Sequence, residues 1–196
     1  MPKPLIIGIG HRRRMGKDAF GTFLAEALQA RGKKVEKRGF ADKLKDACHQ
    51  IYGYAGVRDR RYYDEFPEER EIMLPAIGMT PRELWIRFGT NAIRNHVYDS
   101  TWVDCLIYDT SDCDVRIITD VRFPNEAGAI RQAGGKLVRV TRPGVPEHSD
   151  VADSALAFFD EWDFDVNNCE DLTHLRYAAS QLADQVVKTP VKVSDR

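Results

Sequence analysis

No apolar run in this chain approaches the roughly 20 residues that a helix needs to cross a bilayer, so no membrane-spanning segment is expected. Cysteine is scarce as well. The four present, Cys48, Cys105, Cys113 and Cys169, form no C-x-x-C pair and stand at no zinc-ligand spacing from the histidines. A disulfide framework and a zinc site are therefore not expected, and the thiols read as reduced and mostly buried. An excess of either charge is missing too: 29 Lys and Arg face 30 Asp and Glu, for a formal net charge of -1. No global basic field invites nucleic acid or an anionic membrane surface, so neither partner is expected. Internal repeats and low-complexity tracts are absent, and Met1-Pro2-Lys3-Pro4 opens no secretory leader, which gives a cytoplasmic protein as the expectation.

What is there is ordinary globular material: 196 residues, 43% hydrophobic and 30% charged, long enough for one domain with a sizeable core. "PLIIGIG" (4–10) is a short apolar run ending in glycines, as a buried parallel strand would be. Phe20, Phe23, Leu24, Ala27 and Leu28 then recur at helical spacing, and Gly32 offers a stop. "KVEKRGF" reads as a strand and "ADKLKDACHQIYG" as a helix, while residues 54–75, rich in charge and tyrosine, read as a mobile surface insertion rather than a core element. Thr80, Pro81 and Glu83 spell a capping box at the head of "TPRELWIRFGTNAIRNHV", and a further helix is expected over 100–109. "DVRIITD" (114–120) and "KLVRVTRP" are strands with a helix between them; "DFDVNN" is a last strand before a final amphipathic helix. Strand and helix alternate throughout, which predicts an α/β fold with a doubly wound, mostly parallel sheet.

The stretch "GIGHRRRMGKD" joins the first strand to the first helix. Strand, glycine-rich turn and helix N-terminus are the three parts of a phosphate cradle, in which loop amides and a lysine surround an anion. Gly16 and Lys17 match G-x-x-x-x-G-K-[ST], but five places before Gly16 stands His11, not glycine. Either Gly10 or His11 opens the turn, and Gly10 is taken here, which makes the loop one residue too long. Asp18 replaces the usual hydroxyl, and a carboxylate can hold Mg²⁺ directly or through water. Of Arg12, Arg13 and Arg14, at most one is expected to touch phosphate.

In an open α/β sheet, ligands bind beyond the carboxyl ends of the strands. Asp120 and Arg122 fall there after "VRIITD", where a carboxylate can serve a metal and a guanidinium can grip a phosphoryl group; a structural Asp–Arg pair is the alternative. Arg142 falls just past the next strand. The contiguous His148, Ser149 and Asp150 cannot adopt a nucleophilic triad. Arg82, Thr90 and Arg94, with Trp102 after them, suit a nucleoside phosphate, though an amphipathic helix with a buried Trp85 would show the same pattern.

Together, "GKD", "FADKLKD", "TPRELWIRFGTNAIR…W", "IITDVRFPNEA", "LVRVTRP", "HSD" and "DVNN" resemble the deoxynucleoside monophosphate kinases of bacteriophages, over about residues 5–187. More remotely the chain is similar to phosphomevalonate kinase, another small P-loop kinase with Asp after the lysine. The resemblance implies a P-loop NTPase fold of the nucleoside monophosphate kinase type in one domain (1–187). An acceptor-binding insertion would cover about 41–110 and a lid about 142–158, with a disordered tail over 188–196. It implies ATP as phosphoryl donor and Mg²⁺ as cofactor. Gly10, His11, Arg14, Gly16, Lys17, Asp18 and Asn167 would bind the donor, with Asn167 and Asn168 near its adenine. Lys17, Arg122 and Arg142 would be catalytic, and Asp18 and Asp120 would serve the metal. Asp42, Lys45, Arg82, Thr90, Arg94 and Trp102 would bind a small-molecule (d)NMP acceptor. A homodimer is the candidate assembly, and a phage-encoded enzyme would work in the host cytoplasm. Two other readings stay open on sequence alone: a P-loop kinase acting on a non-nucleotide phosphate, and a non-catalytic ATP-binding switch or nucleic-acid-binding protein.

Overall fold

Strand β1 (Leu5–Gly10) owes its place to a two-faced alternation. Ile7 and Ile9, both fully buried, join Phe20, Leu24 and Leu28 of helix α1 (Lys17–Gln29) in the main core. On the opposite face Gly8 and Gly10 carry no side chain, because that space is filled. A Cβ at Gly8 would lie 2.5 Å from Ile130 Cδ1, and one at Gly10 would lie 2.7 Å from the Trp162 ring. The structure, a computed structural model, describes residues 3–146 and 154–188. It divides into two units, one of Met1–Gly39 with Thr110–Arg196 and the other of Phe40–Asp109.

The first unit is a five-stranded parallel sheet in the order β2-β3-β1-β4-β5, with β2 at Val35–Arg38, β3 at Val115–Val121, β4 at Lys136–Thr141 and β5 at Phe164–Asn167. The doubly wound α/β expectation therefore holds. Because β1 lies between β3 and β4, the carboxyl end of β1 is flanked by the carboxyl ends of two strands reached by separate crossovers. That is the crevice where open α/β sheets bind ligands. The carboxyl-terminal helix, Leu172–Lys188, packs Leu175, Ala179, Leu182 and Ala183 into the same core as α1. Between β3 and β4, the helix Pro124–Gln132 is capped by the buried Glu126, whose carboxylate accepts the N–H groups of Arg122 (2.7 Å) and Phe123 (3.1 Å).

The edge of this sheet carries an ion pair that is buried on its arginine side. Arg116 of β3 is fully buried, sits in register with Glu36 of β2, donates from Nε to the Glu36 carboxylate (3.0 Å), and reaches Ser111 Oγ (2.5 Å). Burial works against the Glu36 charge, but hydrogen bonds from Ser111 and Arg116 and the Arg116 charge hold its pKa below the usual value.

The second unit is helical: α2 (Asp42–Tyr52), α3 (Arg60–Glu65), α4 (Pro81–Trp85) and α5 (Thr101–Ile107). Thr80 and Glu83 form the expected capping box at α4. A nine-residue π-helix, Ile86–Arg94, follows directly, which no periodicity announces. The reading of 54–75 as a mobile surface insertion is overturned. Val57 and Tyr63 belong to the unit's core with Leu44, Cys48 and Leu84. Tyr63 buries its ring edge-on to Trp85, with centroids 5.1 Å apart, and satisfies its hydroxyl by accepting the Arg58 N–H. The charged residues between the tyrosines stay on the surface, so an amphipathic turn of helix reads in sequence as a solvated run. The cysteines also depart from expectation. Cys48 is buried, its thiol pushed up to about 11 by burial, while Cys105 and Cys169 are exposed.

Candidate functional site

The loop after β1 settles which residue opens the turn. Gly10 is still in the strand, paired with Arg139 of β4, and its lack of a side chain answers to Trp162. The first residue with positive φ is His11, at 104°, followed by Arg14 at 59° and Gly16 at 91°. The turn therefore opens at His11 rather than at Gly10, and the loop has the usual length with a histidine where a glycine is common. A Cβ resists this region of φ by about 1–2 kcal/mol, so His11 is strained.

His11 is also electrostatically confined. Among the described residues its Nδ1 is buried without a hydrogen-bond partner. Burial first, then the charges of Arg12, Arg139 and Lys17, lower its pKa from the ordinary 6.5 and keep the ring neutral. The sign of the pH effect follows. Below the ordinary histidine pKa the unfolded chain takes up a proton that the folded chain refuses, so stability falls with pH through this window. Thermal melting from about pH 7 down to about pH 5.5 should show a smaller decline in His11→Gly than in the parent. At about pH 7 the variant should be the more stable by about 1 kcal/mol, since glycine takes this φ freely. An equal pH dependence in the two proteins would remove His11 from this account.

Gly16 then caps α1 in the left-handed region and, having no side chain, gives none to the helix's first N–H groups. An uncapped helix N-terminus presents those donors and the positive end of the helix dipole to an anion. A cavity of about 320 Å³ adjoins it, lined by Arg13 through Ala19 and by Thr119, Asp120 and Arg122. Lys17 is only 7% exposed and its ammonium donates to the Arg12 carbonyl within the loop. The Asp18 carboxylate is exposed and makes no hydrogen bond or ion pair with the described residues. Asp120, near the end of β3, lies against the Gly39 backbone, where a Cβ would come within 2.8 Å of its carboxylate. The Arg122 backbone is fixed by Glu126, and its guanidinium has no partner among the described residues.

The cavity thus gathers Arg14, Gly16, Lys17, Asp18, Asp120 and Arg122. Gly10, His11, Arg142 and Asn167 do not line it. Arg142 is exposed just past β4, and Asn167 is the exposed last residue of β5. His148, Ser149 and Asp150, much of the span read as a lid, and the tail 189–196 lie outside the described residues. Two carboxylates beside a lysine, an arginine and a helix N-terminus would suit Mg²⁺, which takes one or two protein oxygens and completes its shell with water and substrate. Sequence reasoning missed Glu126, although Pro124 and Glu126 at the first and third helical positions are its signal, and it missed Thr119.

In the second unit, Asp42 is held by Arg60 at 2.7 Å, and Arg60 also reaches Asp46 at 3.5 Å, tying α3 to α2. Lys45 lies 5.5 Å over the Trp85 ring and 3.8 Å from Asp64. Trp102 donates from its indole to the Gly89 carbonyl of the π-helix at 3.1 Å. Thr90 is exposed on that helix. Arg82 is engaged by Glu71 and Arg94 by Asp99 (3.0 Å). Arg60 as the partner of Asp42, and Trp85 beneath Lys45, were not anticipated; only the basic character of 58–61 hinted at the first.

No family model matches the chain. Over 161 residues, 72% of this chain and 76% of the relative, it is 28% identical to a protein of Acanthamoeba polyphaga mimivirus provisionally named a deoxynucleotide monophosphate kinase. Over 130 residues, 63% of this chain but only half of the relative, it is 28% identical to the deoxynucleoside-5'-monophosphate kinase of Escherichia phage T5. Among solved structures, shikimate kinase from Aquifex aeolicus superposes with a TM-score of 0.51, covering 94% of this chain and all of that one at 10% identity, a likeness of fold. The chain thus shares its fold with a solved shikimate kinase and is similar in sequence to viral proteins named deoxynucleotide or deoxynucleoside monophosphate kinases.

Proposed function

We propose that this protein is an ATP-dependent deoxynucleoside monophosphate kinase of DNA-precursor synthesis, converting ATP and a dNMP to ADP and a dNDP. The observation that carries the reading is a cavity in which the N-terminus of α1, Lys17, Asp18, Asp120 and Arg122 converge. The names of its homologues agree with it.

An acceptor phosphate oxygen is already ionised near neutral pH, so the transfer needs no general base. The new bond forms between that oxygen and the γ-phosphorus, and the bond to the bridging oxygen breaks, leaving its electron pair on ADP. The protein's task is to position the two phosphates and to offset charge on a loose transition state. Lys17 would exchange the Arg12 carbonyl for a phosphate oxygen, and the planar fork of Arg122 would grip the transferred group. Arg142 would add positive charge from beyond β4. Asp18 and Asp120 would hold Mg²⁺, which, when bound, neutralises donor phosphate charge.

On the acceptor side, Asp42, Lys45, Arg82, Thr90, Arg94 and Trp102 would carry the monophosphate. The Arg82–Glu71 and Arg94–Asp99 pairs are solvent-exposed on their acidic side, so a dianionic phosphate can displace them at little cost. No helix among the described residues is long and apolar enough to cross a membrane, in keeping with an enzyme of the cytoplasm. The test is an ATP-coupled assay over all dNMPs and NMPs and a set of small phosphorylated acids. A diphosphate product from at least one deoxynucleotide is expected. Turnover on a phosphorylated acid alone, or ATP binding with no product, would overturn the proposal.

A further inference from the structure

We infer that Asn168 is a positioning residue that sets the direction of a phosphate-binding amide without touching the donor. The inference rests on the donor-site reading above. Asn168 directly follows β5, and its own N–H donates to the Thr141 carbonyl at 2.7 Å, so its backbone is fixed by the end of β4. Its side chain turns inward, leaves the residue 7% exposed, and donates from Nδ2 to the Met15 carbonyl at 3.0 Å. Gly16 lies flat against this amide: a Cβ there would come within 2.5 Å of Nδ2.

The Met15 carbonyl belongs to the same peptide plane as the Gly16 N–H. In a trans peptide the two point in opposite directions, and no cis peptide is present among the described residues. Anchoring that oxygen on Asn168 therefore aims the Gly16 N–H away from Asn168, and Gly16 lines the cavity. A second fastening secures the same residue. Met15 is buried, and its Sδ accepts the backbone N–H of Arg142 at 3.2 Å. The residues just past β4 and β5 thus hold the loop immediately ahead of Lys17 from outside. A preformed amide cradle binds an anion without reorganising, which is where its affinity arises.

Asn168→Asp tests this with little change of shape. It removes the N–H donor and sets a carboxylate oxygen against the Met15 carbonyl, so the peptide plane loses its anchor. Calorimetric ATP affinity is expected to fall at least about tenfold, with KM for ATP rising and KM for the monophosphate changing by less than about twofold. Melting temperature is followed in parallel. Should the aspartate variant not fold, Asn168→Ala, which removes the donor without adding charge, carries the same ATP-selective expectation at about threefold or more. Unchanged ATP affinity in a folded variant overturns the inference, and so does a fall in both KM-derived affinities together with the melting temperature, the signature of a merely structural residue. A parent protein that binds no ATP would instead refute the donor-site reading, a separate result.

Discussion

Lys17→Ala is expected to lower phosphoryl transfer by about a thousandfold while leaving the protein folded, as measured by initial rates beside a thermal melt. The size follows from position. Lys17 is the one buried cation of the loop, 7% exposed at the start of α1, and it lines the cavity with Asp18 and Asp120. Removing a preorganised donor from a site of developing charge typically costs about 10²–10³ in rate. The fold should survive because the lysine stem is no part of the main core, which α1 meets through Phe20, Leu24 and Leu28. Lys17→Met, which keeps most of the stem, should lose as much, assigning the loss to charge rather than to packing. A folded Lys17→Ala protein with near-normal turnover would sink the phosphate-cradle reading.

The largest loss of stability is expected from Arg116→Ala, about 3 kcal/mol or more by urea unfolding. Arg116 is fully buried, so the substitution empties a large space and removes the guanidinium from Glu36 and Ser111 at once, leaving Glu36 with its bond from Ser111 and its pairing with Arg38. Glu36 is partly exposed, which places the estimate at the low end for a broken buried pair. Because the Glu36 pKa is depressed below its ordinary 4.5, the pair's contribution is present above that pH and is lost as pH falls through the folded value. Arg116→Ala should therefore flatten the acid limb of the stability curve as well as lower it. A loss below about 1 kcal/mol would show that the edge strand is held by its backbone ladder alone.

What was legible in the sequence is what local physics enforces. Buried parallel strands read as apolar runs, and the Thr80–Glu83 capping box reads from residue spacing alone, because each is decided within a few residues. The loop was half legible. Gly16 and Lys17 announced a cradle, but whether Gly10 or His11 opens it depends on φ, and only the packing of Trp162 against Gly10 explains that glycine. Residues 54–75 misled because burial of Tyr63 depends on Trp85, distant in sequence, while its neighbours remain charged and solvated. Asn168 was visible only as one of two adjacent asparagines. Which of them turns inward is set by β-strand alternation and by contact with a loop some 150 residues away.

The π-helix has a consequence of its own. A helix closed by i→i+5 bonds takes one more residue into each hydrogen-bonded ring than one closed by i→i+4, and so winds more widely. The faces on which Thr90 and Arg94 stand are therefore governed by ring size as much as by their order in the chain. Deleting one residue from 86–94 would favour the commoner ring and swing every later side chain of the segment about 100° around the axis. Gly89 has no room for such a swing, since its Cα lies so close to Leu44 that even a methyl would fall 2.3 Å from it, and its carbonyl holds Trp102. In terms of tolerated change of length, this helix should accept substitutions on its exposed side far more readily than any insertion or deletion.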